Sequence, residues 1–154
     1  MVSELYQKDV FQLGKLIDSG ATSPTEIVQS FLSQIDKHNE RLNAFVTVLR
    51  ETAISAADKA TAEISRGQKR GLLHGIPIAH KDLYSTEGIL TTAGSEVLAK
   101  NIPESNATVV DKLDEAGMIM LGKLNTHEFA YGPTGEFSKF GATRNPWDVT
   151  RITG

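Results

Sequence analysis

The sequence predicts an α/β fold in which amino-terminal helices precede a sheet. Apolar residues recur at helical spacing over 10–17 and again over 24–38. Further along, a helical pattern over 105–117 is followed at once by the apolar segment 118–121. A helix, a short turn and a buried strand in this order are typical of an α/β unit. A chain of 154 residues is long enough for one compact domain.

The first two helices have clear local signals. Apolar side chains follow one face from Val10 to Ile17, and Gly20 is a natural terminator. The second helix is predicted to begin within 23–26, Ser-Pro-Thr-Glu. This segment offers an N-cap serine, a proline at the first helical position, and a glutamate that can close a capping box. The apolar stripe of this helix continues to about His38.

Two strands and a third helix are predicted in the middle of the chain. The β-branched and aromatic segment 44–48 favours a strand, with a helical continuation as the alternative. The alanine-rich segment 52–65 predicts a helix. The apolar segment 75–79 lacks alternation, which indicates a strand covered on both faces. Its proline, Pro77, favours an edge strand or the start of a strand.

The fourth helix and the residues after it complete the pattern. Ser105 and Asn106 are the two candidate N-caps of this helix, and Gly117 ends it. After the strand 118–121, regular periodicity disappears from residue 122 to residue 154. Such a stretch is too long to be a mere connection inside a compact domain. We therefore expect a functional loop, or a segment that lacks its packing partners.

Composition excludes several classes of function. With 16 basic and 19 acidic residues the net charge is -3, and no basic cluster is present, so nucleic acid is not an expected direct partner. Without cysteine there is no disulfide framework, no thiolate nucleophile and no cysteine metal site. The sequence shows neither a signal-peptide pattern nor an uncharged run of membrane-spanning length. We expect a cytoplasmic protein that does not bind membranes.

Two segments resemble known motifs but lack essential residues. The segment 117–124 nearly matches a phosphate-binding P-loop, but Leu124 replaces the required hydroxyl and the residues between the glycines are apolar and strand-forming. The segment 127–131 begins like a zinc-protease helix but has Tyr131 where the second histidine must be. The other three histidines lack metal-ligand spacing and are predicted to be surface or hydrogen-bonded core residues: His38, His74 and His80.

Lys81, at the end of the apolar strand, is the candidate catalytic residue. Desolvation there would favour its neutral amine, which can accept a proton. Strand alternation directs Lys81 to one face and both His80 and Asp82 to the other, so Asp82 need not pair with Lys81 and hold it charged. Local residues alone favour the alternative, an exposed lysine without a catalytic role.

The segment 75–82, Gly-Ile-Pro-Ile-Ala-His-Lys-Asp, resembles the lysine motif of the amidase-signature family. Further family motifs occur in the family's order over residues 72–154: Thr91-Thr92-Ala93-Gly94-Ser95, Ala107-Thr108-Val109-Val110, Leu121-Gly122-Lys123 with Asn125, Glu128-Phe129-Ala130, Phe140-Gly141, and Asn145-Pro146-Trp147-Asp148. The helical region before them fits loosely. The resemblance implies part of a mixed, largely parallel sheet, and makes residues 1–154 the amino-terminal part of a single amidase domain. Residues 1–70 would be mainly helical and 71–154 would start its core.

The resemblance also implies a mechanism that uses no metal or cofactor. The family cleaves amides with a nucleophilic serine, a second serine in a cis peptide bond, and a lysine. Lys81 would be that lysine, accepting a proton through the bridging serine. The segment that contains both serines would follow Gly154, since Ser95 and Ser138 lie in the wrong motifs for either role. The 154-residue chain alone is therefore expected to be inactive.

The loop 128–135 is the local candidate for substrate contact. The resemblance places Ala130, Tyr131 and Gly132 beside the substrate channel, with backbone groups near the acyl chain. For Tyr131 the alternative is a packed aromatic with its hydroxyl at the surface. Three further aromatic residues are predicted to anchor the loop by packing: Phe137, Phe140 and Trp147.

Three hypotheses of function follow. The leading one is that the full-length enzyme hydrolyses a small-molecule carboxylic amide to a carboxylate and ammonia or an amine. A homodimer is the oligomer that we would expect for it. The second is the glutaminase subunit of a tRNA-dependent amidotransferase, which works with partner subunits. The segment 126–131 slightly favours the first. The third is a short non-catalytic interaction module. We expect truncation instead, because the chain stops inside a motif and not at a linker.

Overall fold

The computed structural model describes residues 2–153. Their helices and strands follow the predicted order. The α-helices are α1 (Val10–Asp18), α2 (Pro24–Leu42), α3 (Arg50–Ser65) and α4 (Thr108–Glu115), the strands are β1 (Phe45–Val48), β2 (Pro77–Lys81) and β3 (Ile119–Leu124), and 3₁₀ turns occupy Val2–Gln7 and Glu128–Ala130. None of the helices in this described part is long and apolar enough to cross a membrane.

Helix α2 begins with the predicted capping box. The Glu26 carboxylate accepts from the Ser23 N–H at 2.9 Å, and the Ser23 Oγ accepts from the Glu26 N–H at 3.2 Å. The bond from the Ser23 N–H is the main reason why the pKa of Glu26 lies below its ordinary value. The apolar stripe that was predicted to about His38 lies on a helix that continues to Leu42. The helix ends where Asn43 adopts a left-handed backbone with φ 51°, a conformation that asparagine tolerates.

Helix α4 begins later than predicted. Its first residue is Thr108, so neither Ser105 nor Asn106 is the N-cap. Asn106 is instead bonded to a distant loop, since its Oδ1 accepts from the Glu87 N–H at 2.7 Å. The side chain that looked like a cap therefore connects the start of α4 to that loop.

The three strands form a mixed sheet in the order β1-β3-β2. Strand β1 is antiparallel to β3, with Phe45 opposite Leu124. Between β2 and β3, the Ile119 N–H donates to the Ile76 carbonyl at 2.9 Å and the Asp82 N–H donates to the Leu124 carbonyl at 2.8 Å. These bonds advance in the same direction along both strands, as in a parallel pair. The mixed sheet confirms the predicted class, and β2 is at its edge with Pro77 as first residue, as expected.

The chain folds into two compact units, and the first has an apolar core. It consists of Met1–Ile35, Leu49–Ile78 and Lys112–Leu121. Its core comprises Leu5, Leu13, Ile17, Ile27 and Ile76, with Leu16, Phe31, Ile64 and Met118 packed against them. Burial of such side chains is the main stabilising contribution in a unit of this kind. Buried His74 belongs to this unit and is hydrogen-bonded on both nitrogens, as predicted for a core histidine.

The second unit is organised by buried polar side chains. It consists of Asp36–Val48, Ala79–Asp111 and Gly122–Gly154. Its buried polar residues are His80, Asp82, Thr86, Thr91, Thr92, Ser95, Lys123 and Thr126. Buried polar groups are tolerated when they are hydrogen-bonded, and such networks fix one arrangement of the chain.

Candidate active site

Lys81 is the last residue of β2 and lines a pocket of about 290 Å³ in the second unit. Asn125, Thr126, His127 and Gly132 are among the other residues that line it. The predicted alternation is present, because Lys81 is exposed while both His80 and Asp82 are buried. The predicted desolvation of Lys81 is not observed, because its side chain is open to solvent in this structure.

Asp82 is turned away from the pocket and holds the segment that follows β2. Its carboxylate accepts from the Thr92 Oγ–H at 2.6 Å and from the Thr92 N–H at 3.1 and 3.2 Å. Its backbone carbonyl accepts from the Ala93 N–H at 2.7 Å. The chain therefore returns to residue 82 at residues 92 and 93, which closes a loop directly after Lys81.

A second lysine, Lys123 of β3, is fully buried, and no sequence pattern predicted this. Its exposed fraction is 0%. Its Nζ donates to the Tyr84 carbonyl at 2.5 Å, to Thr91 Oγ1 at 2.8 Å and to Thr86 Oγ1 at 3.0 Å. Burial lowers the pKa of Lys123 to about 8, and the negative charge of Asp82 acts in the opposite direction. The extension of β3 to Leu124 corrects its predicted end at residue 121, and agrees with the rejection of a P-loop there.

The loop after β3 has a strained backbone. Phe129 and Ala130 are both left-handed, with φ of 51° and 56°. The strain is held in place by two backbone bonds, from the Glu128 N–H to the Phe137 carbonyl at 2.6 Å and from the Phe129 N–H to the Ala93 carbonyl at 2.7 Å. Consecutive non-glycine residues in this region cost free energy, and they occur preferentially at functional sites.

His127 and Gly132 form one wall of the pocket in close contact. A Cβ added at Gly132 would lie 2.2 Å from His127 Cε1, so a larger residue fits here only if the ring moves. The ring also packs against Phe137, with centroids 5.4 Å apart. Within residues 2–153, the buried Nδ1 of His127 has no hydrogen-bond partner. This nitrogen is a polar group that a ligand or a further segment of the protein can satisfy.

The predicted substrate residues have different surroundings. Gly132 lines the pocket together with Lys81, whereas Ala130 and Tyr131 are not among its lining residues. Tyr131 is 91% exposed, so the alternative of a packed aromatic is wrong. Trp147 is 96% exposed, and the prediction that it anchors the loop by packing is wrong as well.

The two serines that the motifs exclude from catalysis are both held in structural hydrogen bonds. Ser95 Oγ donates to Glu128 Oε1 at 2.6 Å, and Ser138 Oγ donates to Asn125 Oδ1 at 2.7 Å. Ser95 is fully buried. Neither hydroxyl is directed at the amine of Lys81 by these bonds.

Comparison with known proteins extends the likeness beyond the motifs. The family model described as Amidase matches residues 26–154, so the match begins well before residue 72. The A subunit of glutamyl-tRNA(Gln) amidotransferase from Azoarcus sp. (strain BH72) is 48% identical over 145 residues, 94% of this chain and 30% of that protein. The protein of the same name from Syntrophus aciditrophicus (strain SB) is 45% identical over 151 residues, 98% of this chain and 31% of that protein.

A solved structure supports the same family relationship. The native peptide amidase from Stenotrophomonas maltophilia superposes with a TM-score of 0.86 at 31% identity, over 94% of this chain and 31% of that one. The chain spans about 30% of the length of the curated relatives it matches. Because the family model covers most of the sequence and the fold agrees, this chain belongs to the amidase family.

Proposed function

We propose that residues 1–154 are the amino-terminal part of a single amidase domain, with 1–70 mainly helical and 71–154 starting its core. The full-length enzyme hydrolyses a small-molecule carboxylic amide to a carboxylate and ammonia or an amine. The observation that carries this proposal is Lys81 at the end of β2, inside the segment that matches the family model and at the pocket of about 290 Å³. A pocket of this size suits a small substrate.

In this proposal Lys81 is the general base and later the general acid. Its neutral amine accepts a proton through a bridging serine as the nucleophilic serine forms a bond to the amide carbon. The C–N bond then breaks, and the same proton goes to the leaving nitrogen. Water releases the carboxylate from the acyl-enzyme in a second step. In this proposal both serines come from segments outside this sequence.

The loop that contains Ala130, Tyr131 and Gly132 is the proposed substrate-binding segment. Its support is the contact of Gly132 with His127 at the pocket and the left-handed backbone at Phe129 and Ala130. A strained backbone held by hydrogen bonds presents its N–H and carbonyl groups in one direction. The unpartnered Nδ1 of His127 adds a polar group to the same wall.

The glutaminase subunit of an amidotransferase is the second candidate function. The curated relatives with 48% and 45% identity are both A subunits of glutamyl-tRNA(Gln) amidotransferase, and this observation favours it. In that case the full-length protein would release ammonia from glutamine for partner subunits. Either function fits a cytoplasmic protein, which is the location we propose.

Ammonia release by the purified full-length protein separates the two candidates. The leading proposal predicts release from simple amides without any partner subunit. Release that requires an added amidotransferase complex, with glutamine as substrate, would overturn the leading proposal in favour of the second. The matched controls are Lys81→Ala, which should be inactive in either case, and Lys112→Ala, an exposed lysine on α4 that should retain activity. A stop codon directly after Gly154 would instead favour a non-catalytic interaction module.

A further inference from the structure

We propose that Lys123 is a positioning residue for Lys81. It holds the loop of residues 82–93, and this loop fixes the direction in which the end of β2 presents the Lys81 side chain. The catalytic part of this inference rests on the proposed function of Lys81. The structural part, that Lys123 holds the loop, is independent of it.

Among the residues that the structure describes, the hydrogen bonds of the Lys123 amine all go to this loop. An ammonium group has three N–H donors, and the three acceptors are the Tyr84 carbonyl, Thr86 Oγ1 and Thr91 Oγ1. Each of these acceptors belongs to the loop that connects Lys81 to Ala93. Because both threonines are buried, competition from solvent for these bonds is weak.

A short hydrogen-bonded connection links Lys123 to Lys81. The Tyr84 N–H donates to the Lys81 carbonyl at 3.1 Å, which closes a turn that begins at Lys81 itself. The carbonyl of the same Tyr84 accepts from Lys123 Nζ. Lys123 therefore fixes one end of the turn whose other end is the backbone of Lys81. This backbone sets the position of the Lys81 Cα and the direction in which its side chain leaves the strand.

The opposite end of the loop is fixed by Asp82. The Asp82 carboxylate accepts a hydrogen bond from the Thr92 hydroxyl, and the Asp82 carbonyl accepts one from the Ala93 N–H. The Asp82 N–H donates to the Leu124 carbonyl of β3. Lys123 and Leu124 are adjacent in β3, so one strand end anchors the loop on both sides. Burying a lysine at this site costs more desolvation free energy than burying an apolar side chain. The presence of Lys123 is therefore better explained by the single conformation of the loop that its hydrogen bonds specify.

The test compares Lys123→Met and Thr91→Val with Lys112→Met in the full-length enzyme. Lys123→Met removes the amine and keeps an unbranched side chain, and Thr91→Val removes one acceptor. We expect kcat per folded molecule to fall by about 10- to 100-fold in Lys123→Met, because small misplacements of a catalytic group have effects of this size. KM should stay within about twofold, since substrate contacts are unchanged. Thr91→Val should show a smaller loss in the same direction, and Lys112→Met should show none.

Hydrogen exchange measures the loop itself. We expect the Thr92 and Ala93 amides to exchange faster in Lys123→Met and Thr91→Val than in Lys112→Met. Unchanged exchange would overturn the proposal that Lys123 holds the loop. Faster exchange with full kcat would show that the bonds are structural only, and would overturn the positioning role. If Lys123→Met does not fold, Thr91→Val decides by the same two measurements.

A failure of the proposed function remains distinguishable. If the wild-type protein releases no ammonia from any amide or from glutamine, with or without partner subunits, Lys81 is not its catalytic base. In that case the accessibility of the Lys81 amine is measured as its rate of labelling by acetic anhydride, with peptide mass spectrometry as the readout. A changed rate in Lys123→Met but not in Lys112→Met supports positioning, and an unchanged rate contradicts it.

Discussion

Lys81 and Lys123 lie at the ends of two neighbouring strands, β2 and β3, and their amines have opposite surroundings. The Lys81 side chain is open to solvent at a pocket, whereas Lys123 is 0% exposed. All three hydrogen-bonding positions of the Lys123 amine are used by protein acceptors. An amine in that state cannot exchange a proton with a substrate, while an exposed amine at a pocket can.

The comparison shows how the proposed catalytic lysine differs from a lysine held in the structure by hydrogen bonds. A strongly perturbed pKa in a cleft is often used to find functional groups, and here Lys123 has its pKa lowered to about 8. Its amine is enclosed by loop acceptors, so burial, and not catalysis, is the reason for that shift. The role proposed for Lys81 is supported instead by its exposed side chain at the pocket.

The largest expected effect is that of Lys81→Ala on turnover. If Lys81 is the general base as proposed, its loss should lower kcat of the full-length enzyme by about 100-fold or more. Because the side chain is exposed, the free energy of unfolding should change by less than about 0.5 kcal/mol. Ammonia release and urea unfolding measure the two quantities. A variant that keeps most of its activity would remove Lys81 from the mechanism.

Lys123→Met should affect stability where Lys81→Ala does not. It leaves the buried charge of Asp82 without the nearby ammonium and leaves the loop acceptors unbonded. The free energy of unfolding should fall by about 3 kcal/mol. Lys112→Met, at an exposed site, is the control for the loss of one positive charge. Equal stability of the two variants would show that Lys123 contributes little to the fold.

The pH dependence of stability should differ between wild type and Lys123→Met. Burial lowers the pKa of Lys123 from 10.5 to about 8, so between these values the unfolded chain binds a proton that the folded chain does not. Stability therefore rises with pH across this window. Relative to Lys123→Met, the wild-type free energy of unfolding should increase by about 1.5 kcal/mol between about pH 8 and about pH 9.5. Parallel pH profiles of the two proteins would contradict the lowered pKa.

The smallest effect is expected for Gly132→Ala in the pocket wall. The added Cβ would lie 2.2 Å from His127 Cε1, and the ring must move. KM for the amide should rise about threefold to tenfold, with kcat little changed, because the ring lines the pocket but does not take part in proton transfer. His127→Ala removes the clash. KM should therefore be the same in the double variant, His127→Ala with Gly132→Ala, as in His127→Ala alone. Additive effects of the two substitutions would contradict this contact.

Local signals explain the parts of the fold that the sequence predicted. The capping box of Ser23 and Glu26 needs only residues within one turn, and Pro77 marks an edge strand through its own missing N–H. The α/β order and the mixed sheet followed from such signals together with the family motifs. The family motifs, and not the local pattern, identified Lys81 as the catalytic candidate, because an isolated strand-end lysine resembles any surface lysine.

Long-range contacts explain the parts that were missed. Lys123 is bonded to residues 32 to 39 positions away, which no periodicity can reveal. Asn106 bonds to Glu87, 19 positions away, so a residue with good capping chemistry is used elsewhere and α4 begins at Thr108. The exposed Trp147 shows the same limit, since packing of an aromatic depends on residues that its own motif does not contain.

Competitive labelling of the two amines tests the division of roles between the two lysines most directly. Acetic anhydride reacts with accessible neutral amines, and peptide mass spectrometry of the native full-length protein gives the rate at each lysine. We expect Lys81 to be labelled at least about 100-fold faster than Lys123, whose reaction requires local opening of the loop. Labelling of Lys123 at a rate comparable with Lys81, in protein that remains folded, would contradict the assignment of a catalytic role to one lysine and a structural role to the other.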